Sequence, residues 1–215
     1  MPQGKRRARE GDGILRLPAR LTSLHDAWTR AWHSPASPVE PDPEPLLSVV
    51  REQHRRNFDL WHEEDQARAP GAGDSAIAGV KRRIDALNQE RTDFTERLDE
   101  AVTGALKRLR VRPRARAPWN SETPGAAIDR LSILSLRIYH MREEEERADA
   151  TEAHRHACRA RRRILERQRR DLVAALRWLF QDLLRGRKAL RTYRHFKMYN
   201  DAALNPAIYR SKGAR

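Results

Sequence analysis

The stretch HRRNFDLWHEEDQAR, residues 54–68, decides how the chain is read. His54, Asn57, Trp61, Asp65 and Arg68 stand at steps of 3, 4, 4 and 3, the spacing that places residues on one side of an α-helix. Leu47 and Val50 begin the same side, so the stripe is due to face a core. Burying His, Asn and Asp is costly unless each finds a hydrogen-bond partner. The row is therefore either a structural network or the wall of a site.

Outward from this row the periodicity stays helical. The first long helix spans about residues 44–68 and stops before Pro70, Gly71 and Gly73. Asp74 or Ser75 can cap a second, whose apolar stripe is Ile77, Val80, Ile84, Leu87, Phe94, Leu98 and Val102. Arg91 interrupts that stripe and needs a carboxylate, Asp65 or Asp129, or a ligand. After a basic connector, residues 107–119, the run Asn120-Ser121-Glu122-Thr123-Pro124-Gly125 signals a third start. It leads the stripe Ile128, Leu131, Leu134, Ile138 and Met141. A long fourth helix carries Leu165, Leu172, Leu176, Leu179 and Leu183, and Gly186 can break it. No strand alternation or hairpin turn occurs. The expectation is an all-α helical bundle of about four long helices over residues 44–209, with a packed C-terminal element over 193–209. Residues 1–43, with a short helix near 21–32 and a Pro-rich run (Pro35, Pro38, Pro41, Pro43, Pro45), read as an N-terminal appendage and linker; residues 210–215 read as a basic tail. A weak repeat sets Leu60-Trp61-His62 against Ile138-Tyr139-His140, and Lys81-Arg82-Arg83-Ile84 against Arg161-Arg162-Arg163-Ile164. It suggests two related helical hairpins.

The net charge of +14 resembles a nucleic-acid signal until it is located. Residues 41–100 and 121–150 are net acidic, whereas 101–120 and 151–215 are net basic. Such alternation suits helices that neutralise one another as well as it suits an external polyanion, so nucleic acid is an unlikely partner on charge alone. No apolar run approaches a membrane span, and the basic start lacks the apolar core of a signal peptide. One cysteine, Cys158, excludes an intrachain disulfide and a cysteine-rich zinc site. A soluble cytoplasmic protein is expected, with mean hydropathy −0.88.

Three segments hold the candidate site residues. The first offers His54, Asn57, Trp61 and Asp65. The second offers Lys81, Asp85 and Asn88 at steps of 4 and 3, with Arg91 near that side; Lys81–Asp85 alone is an ordinary surface pair. The third offers Asp129, Arg130, Ser132, Tyr139 and His140, behind a Thr-Pro-Gly start whose free N–H groups can receive an anion. Arg91, Lys81 and Arg130 would hold an anion, and His54 or His140 would move a proton. Asp65, Asp85 or Asp129 would orient it or hold Mg²⁺, while Asn57, Trp61 and Asn88 shape the pocket. No HExxH, Walker loop, GxGxxG or GxSxG is present.

The blocks LWHEEDQAR, KRRIDALNQERTDF, NSETPGAAIDRLSILSLRIYHM and FKMYNDAALNPAIY resemble the bacterial family of unknown function DUF4254, over about residues 45–209. The resemblance implies a small helical protein associated with surface-polysaccharide and glycosyltransferase genes. The family pattern reads Arg-Asn-Asp where this chain has Arg91-Thr92-Asp93, so no role for an asparagine carries over. The favoured expectation is a polar pocket for an anionic small molecule such as a nucleotide-sugar or phosphorylated sugar. The alternatives are a scaffold partnering a glycosyltransferase, and an arginine-rich nucleic-acid binder acting through residues 155–194.

Overall fold

The computed structural model describes residues 3–34, 44–71, 73–196, 198 and 201–210. A helix does open at Asp74, but Gly73 holds its N-cap position and neither Asp74 nor Ser75 caps it. Thr123 accepts from the Ala126 N–H at 3.1 Å and Pro124 takes the first turn, so α4 runs Pro124–Glu146. Thr151 caps the N–H of His154 at 3.2 Å to open α5, Glu152–Leu184. α2 spans Pro45–Gln66 and α3 spans Asp74–Arg108. Gly186 takes φ +64 just past α5, and a Cβ there would meet the Arg112 carbonyl oxygen at 2.5 Å, so the helix stops where the basic connector crosses it. A one-turn α6, Pro206–Tyr209, follows.

α2 packs chiefly on α3, and α4 chiefly on α5, giving two helical hairpins. No strand is formed among the described residues, apart from a single isolated bridge between Trp119 and Ala189. No described helix is long and apolar enough to cross a membrane.

The largest departure from the sequence reading is at the N-terminus. α1 runs Gln3–His33, straight through Pro18, and lies against α4, α5 and α2. Its Ile14, Leu17, Leu21 and Trp28 are buried in the same core as Leu47, Val50, Leu131 and Phe180. α1 is a fifth long helix of the bundle rather than an appendage, because without its residues 14–33 the faces of α2 and α4 would meet water. Pro35, Pro38, Pro41 and Pro43 and the tail 211–215 lie outside the described residues.

The described part of the C-terminal segment is held by charge. Arg194 bonds Glu96 at 2.7 Å and Glu100 at 2.5 Å, and the His195 N–H bonds Glu96 at 2.7 Å. Phe196, Met198 and Leu204 face outward. Lys197, Tyr199 and Asn200 are outside the described residues.

The Thr-Pro-Gly start of α4 does receive an anion, but one supplied by the chain itself. Asp99 of α3 is buried and accepts from the Gly125 N–H at 2.7 Å. A Cβ at Gly125 would lie 2.4 Å from the Thr95 carbonyl oxygen, so only glycine permits α3 and α4 to approach this closely.

Candidate functional site

Asp129, on α4, is the hub of the polar row. Its Oδ1 accepts from Gln53 Nε2 at 2.5 Å, Asn57 Nδ2 at 3.0 Å and Arg91 Nε at 2.8 Å. Its Oδ2 accepts from Arg91 Nη2 at 2.5 Å. The carboxylate required by Arg91 is thus Asp129, and the bidentate hydrogen bond pushes the guanidinium's pKa upward. Three helices meet at one side chain.

From Asp129 the network has a fixed direction. Asn57 Nδ2 also donates to Ser132 Oγ at 2.9 Å, and Ser132 Oγ lies 2.7 Å from His54 Nδ1. His54 Nε2 lies 3.2 Å from the His25 carbonyl oxygen and 2.9 Å from Thr29 Oγ1. A carbonyl can only accept, so Nε2 carries the proton and Ser132 donates to Nδ1. His25 stacks on His54 with centroids 4.4 Å apart. Burial pushes the pKa of His54 down to about 3 and that of His25 well below the ordinary value.

This has a consequence for pH. Both rings are neutral in the fold, whereas an unfolded histidine takes up a proton near pH ~6.5. Below that pH the unfolded chain binds more protons, so stability is full above it and falls as pH drops through the interval down to the depressed folded value. The loss is about 1.4 kcal/mol per pH unit for each buried ring. The urea midpoint should therefore fall from pH ~6.5 to ~5.5; an unmoved midpoint would show that these rings are not neutral and buried in solution.

Several expected site residues separate from this network. His54 is fully buried and packed by His25, Thr29 and Ser132, so it orients the network and does not reach a substrate. Lys81 is exposed and paired with Asp85. Arg130 is exposed and paired with Glu122 at 2.5 Å. Asn88 is half-buried on α3, its carbonyl accepting from Thr92 Oγ1 at 2.8 Å. Asp65, Asp85 and Asp129 do not gather into a carboxylate cluster among the described residues, and Asp129 already neutralises Arg91, so this set does not fit Mg²⁺.

Asp65, on the last turn of α2, and Arg68, in the turn that follows it, are exposed and line a cavity instead of the core. That cavity, about 470 Å³, also takes Asn57, Trp61, Arg91 and Arg137 as walls. A second, about 530 Å³, shares Trp61 and Arg137 and adds His140, Arg161, Ile164 and Leu165. His140 stacks on Trp61 at 4.6 Å, its rings 8° from parallel, and burial lowers its pKa.

His140 also meets two histidines that the sequence reading left out. His33 lies 5.3 Å from it and His62 lies 5.9 Å from it, centroid to centroid. The repeat held the clue, since it aligns His62 with His140. The same offset of 78 relates His54 to Ser132, which also touch. Gln53, Thr29 and His25 had no comparable signal, because their importance comes from what α1 and α4 bring to them.

A family model described as a protein of unknown function (DUF4254) matches residues 47–192. The chain belongs to the DUF4254 family. No curated protein and no solved structure matches it. The DUF4254 span contains Gln53, His54, Asn57, Arg91, Asp129 and Ser132, together with both cavities. α1 lies outside that span, and with it His25, Thr29 and His33.

Proposed function

We propose that this DUF4254 protein binds an anionic small molecule, a nucleotide-sugar or another phosphorylated sugar, in the groove made by the two cavities that share Trp61 and Arg137. The observation that carries the reading is a pair of cations that form no ion pair among the described residues. Arg159 and Arg162 bond Glu145 at 2.7 Å each, and Arg169 bonds Asp26 at 2.7 Å. Arg137 and Arg161, on the groove walls, have no carboxylate partner among the described residues. Trp61 gives a ring for stacking, and the half-exposed Ile164 and Leu165 give an apolar floor. Charge beside an aromatic and apolar surface suits a ligand with a phosphate at one end and a base or sugar ring at the other. His140, on the wall, stacks on Trp61 and fixes the face that this ring turns to the ligand.

Calorimetry of the full chain against uridine and guanosine diphosphate sugars, with inorganic phosphate for comparison, tests the reading. Arg137→Ala and Arg161→Ala should each weaken binding at least tenfold and leave the melting temperature unchanged, since both side chains are exposed. Failure of the whole panel to bind, or unaltered binding by both variants, would sink it. Stoichiometric co-purification with a glycosyltransferase and no small-molecule binding would turn the groove into a protein-docking surface.

A further inference from the structure

His33 on α1, His62 on α2 and His140 on α4 each turn one ring nitrogen inward, all three within 4.8 Å of one another. Their outer nitrogens decide what the inner ones can be. His33 Nδ1 lies 2.8 Å from the Thr29 carbonyl oxygen, and His62 Nδ1 lies 2.8 Å from the Phe58 carbonyl oxygen. His140 Nδ1 lies 2.7 Å from a Glu143 carboxylate oxygen. Every one of these partners only accepts, so each Nδ1 carries the ring proton and donates it. Each Nε2 is left as a bare lone pair. Three lone pairs with no proton among them cannot hydrogen-bond to one another, and those of His33 and His140 are buried without a partner.

We propose that His33, His62 and His140 form a binding site for one divalent transition metal ion, of the zinc or cobalt class, held through the three Nε2 atoms. Imidazole ligands select such ions over Mg²⁺ or Ca²⁺, which favour oxygen. The outer partners already have the arrangement that metal-bound histidines use, with Nδ1–H fixed by a carbonyl or a carboxylate. Stacking sets the rings as well: His33 lies 4.4 Å from Tyr139 and His140 lies 4.6 Å from Trp61. Tetrahedral zinc at about 2.0–2.1 Å places ligand nitrogens roughly 3.3 Å apart, so small side-chain rotations close the set. Three protein ligands leave a fourth position for water or a substrate atom, the pattern of reactive rather than purely structural zinc sites. His140 also lines the groove, which puts that ion beside the Arg137 and Arg161 cations. The ion site holds whether or not the groove takes a sugar.

The test uses the full chain, stripped with chelator and titrated with Zn²⁺ by calorimetry and with Co²⁺ by visible absorption. One ion per chain, a tetrahedral Co²⁺ spectrum and a rise in melting temperature with Zn²⁺ are expected. His62→Ala and His140→Ala should each lower affinity at least 100-fold and abolish the thermal shift. Glu143→Gln should cost about tenfold, and Cys158→Ser should bind as the parent does. Absence of stoichiometric binding of Zn²⁺ and Co²⁺ overturns the proposal, as does equal binding by both histidine variants, or loss of binding in Cys158→Ser. If a histidine variant fails to fold, nitrogen-15 spectra of the parent decide: Zn²⁺ must shift the Nε2 resonances of these three histidines, and shifts confined to others overturn the site.

Discussion

A chain lacking residues 1–33 is expected to lose cooperative unfolding altogether. α1 places Ile14, Leu17, Leu21 and Trp28 in the common core, each below a tenth exposed. Complete burial of such a side chain contributes about 1.5–3 kcal/mol, so four contribute roughly 6–12 kcal/mol. That is as large as the roughly 5–15 kcal/mol by which an ordinary domain is stable. The deletion also removes Thr29 and the His25 carbonyl, leaving the His54 Nε2–H without its acceptors in an apolar surrounding. Urea unfolding followed by circular dichroism checks this. A sharp transition at the parent midpoint would return α1 to the status of an appendage.

Asp129→Ala should be the most damaging single substitution in the polar network, at about 3–5 kcal/mol. It leaves the Arg91 guanidinium without its counter-charge and the Gln53 and Asn57 amides without their shared acceptor. Arg91→Ala should cost less, because Asp129 keeps two donors. The asymmetry follows from who serves whom: one carboxylate satisfies three side chains on two helices. Urea midpoints for the two variants, at an unchanged slope, check the order. A cost for Asp129→Ala below about 1 kcal/mol would mean that the network does not hold α2, α3 and α4 together.

How far the sequence carried is clearest in residues 54–68. The steps of 3 and 4 correctly put His54 and Asn57 on the buried side, whereas Trp61, read on the same side, stands only at its edge. Asp65 and Arg68 share that side yet are exposed. Periodicity gives the direction in which a side chain points around its own helix; it carries no information about how far along the axis the neighbours extend. Arg91 was legible as a cation needing a carboxylate, with Asp129 among the two choices, because a charge inside an apolar stripe needs a partner wherever the stripe packs. Asp99 was not legible. On α3 it looks like one more surface carboxylate, and only the approach of Gly125 turns it into the anchor of α4.

The sequence by itself determined the helical class, the start at Thr123, the stop at Gly186 and the family, since all of these rest on local spacing and local backbone chemistry. The tertiary structure alone decided that α1 joins the core, that Asp129 rather than Asp65 answers Arg91, and that His33, His62 and His140 meet. Those three histidines belong to three different helices, α1, α2 and α4. Their inward nitrogens converge only because burial of apolar stripes on each helix fixes where the helices cross, and no pattern within one helix contains that distance.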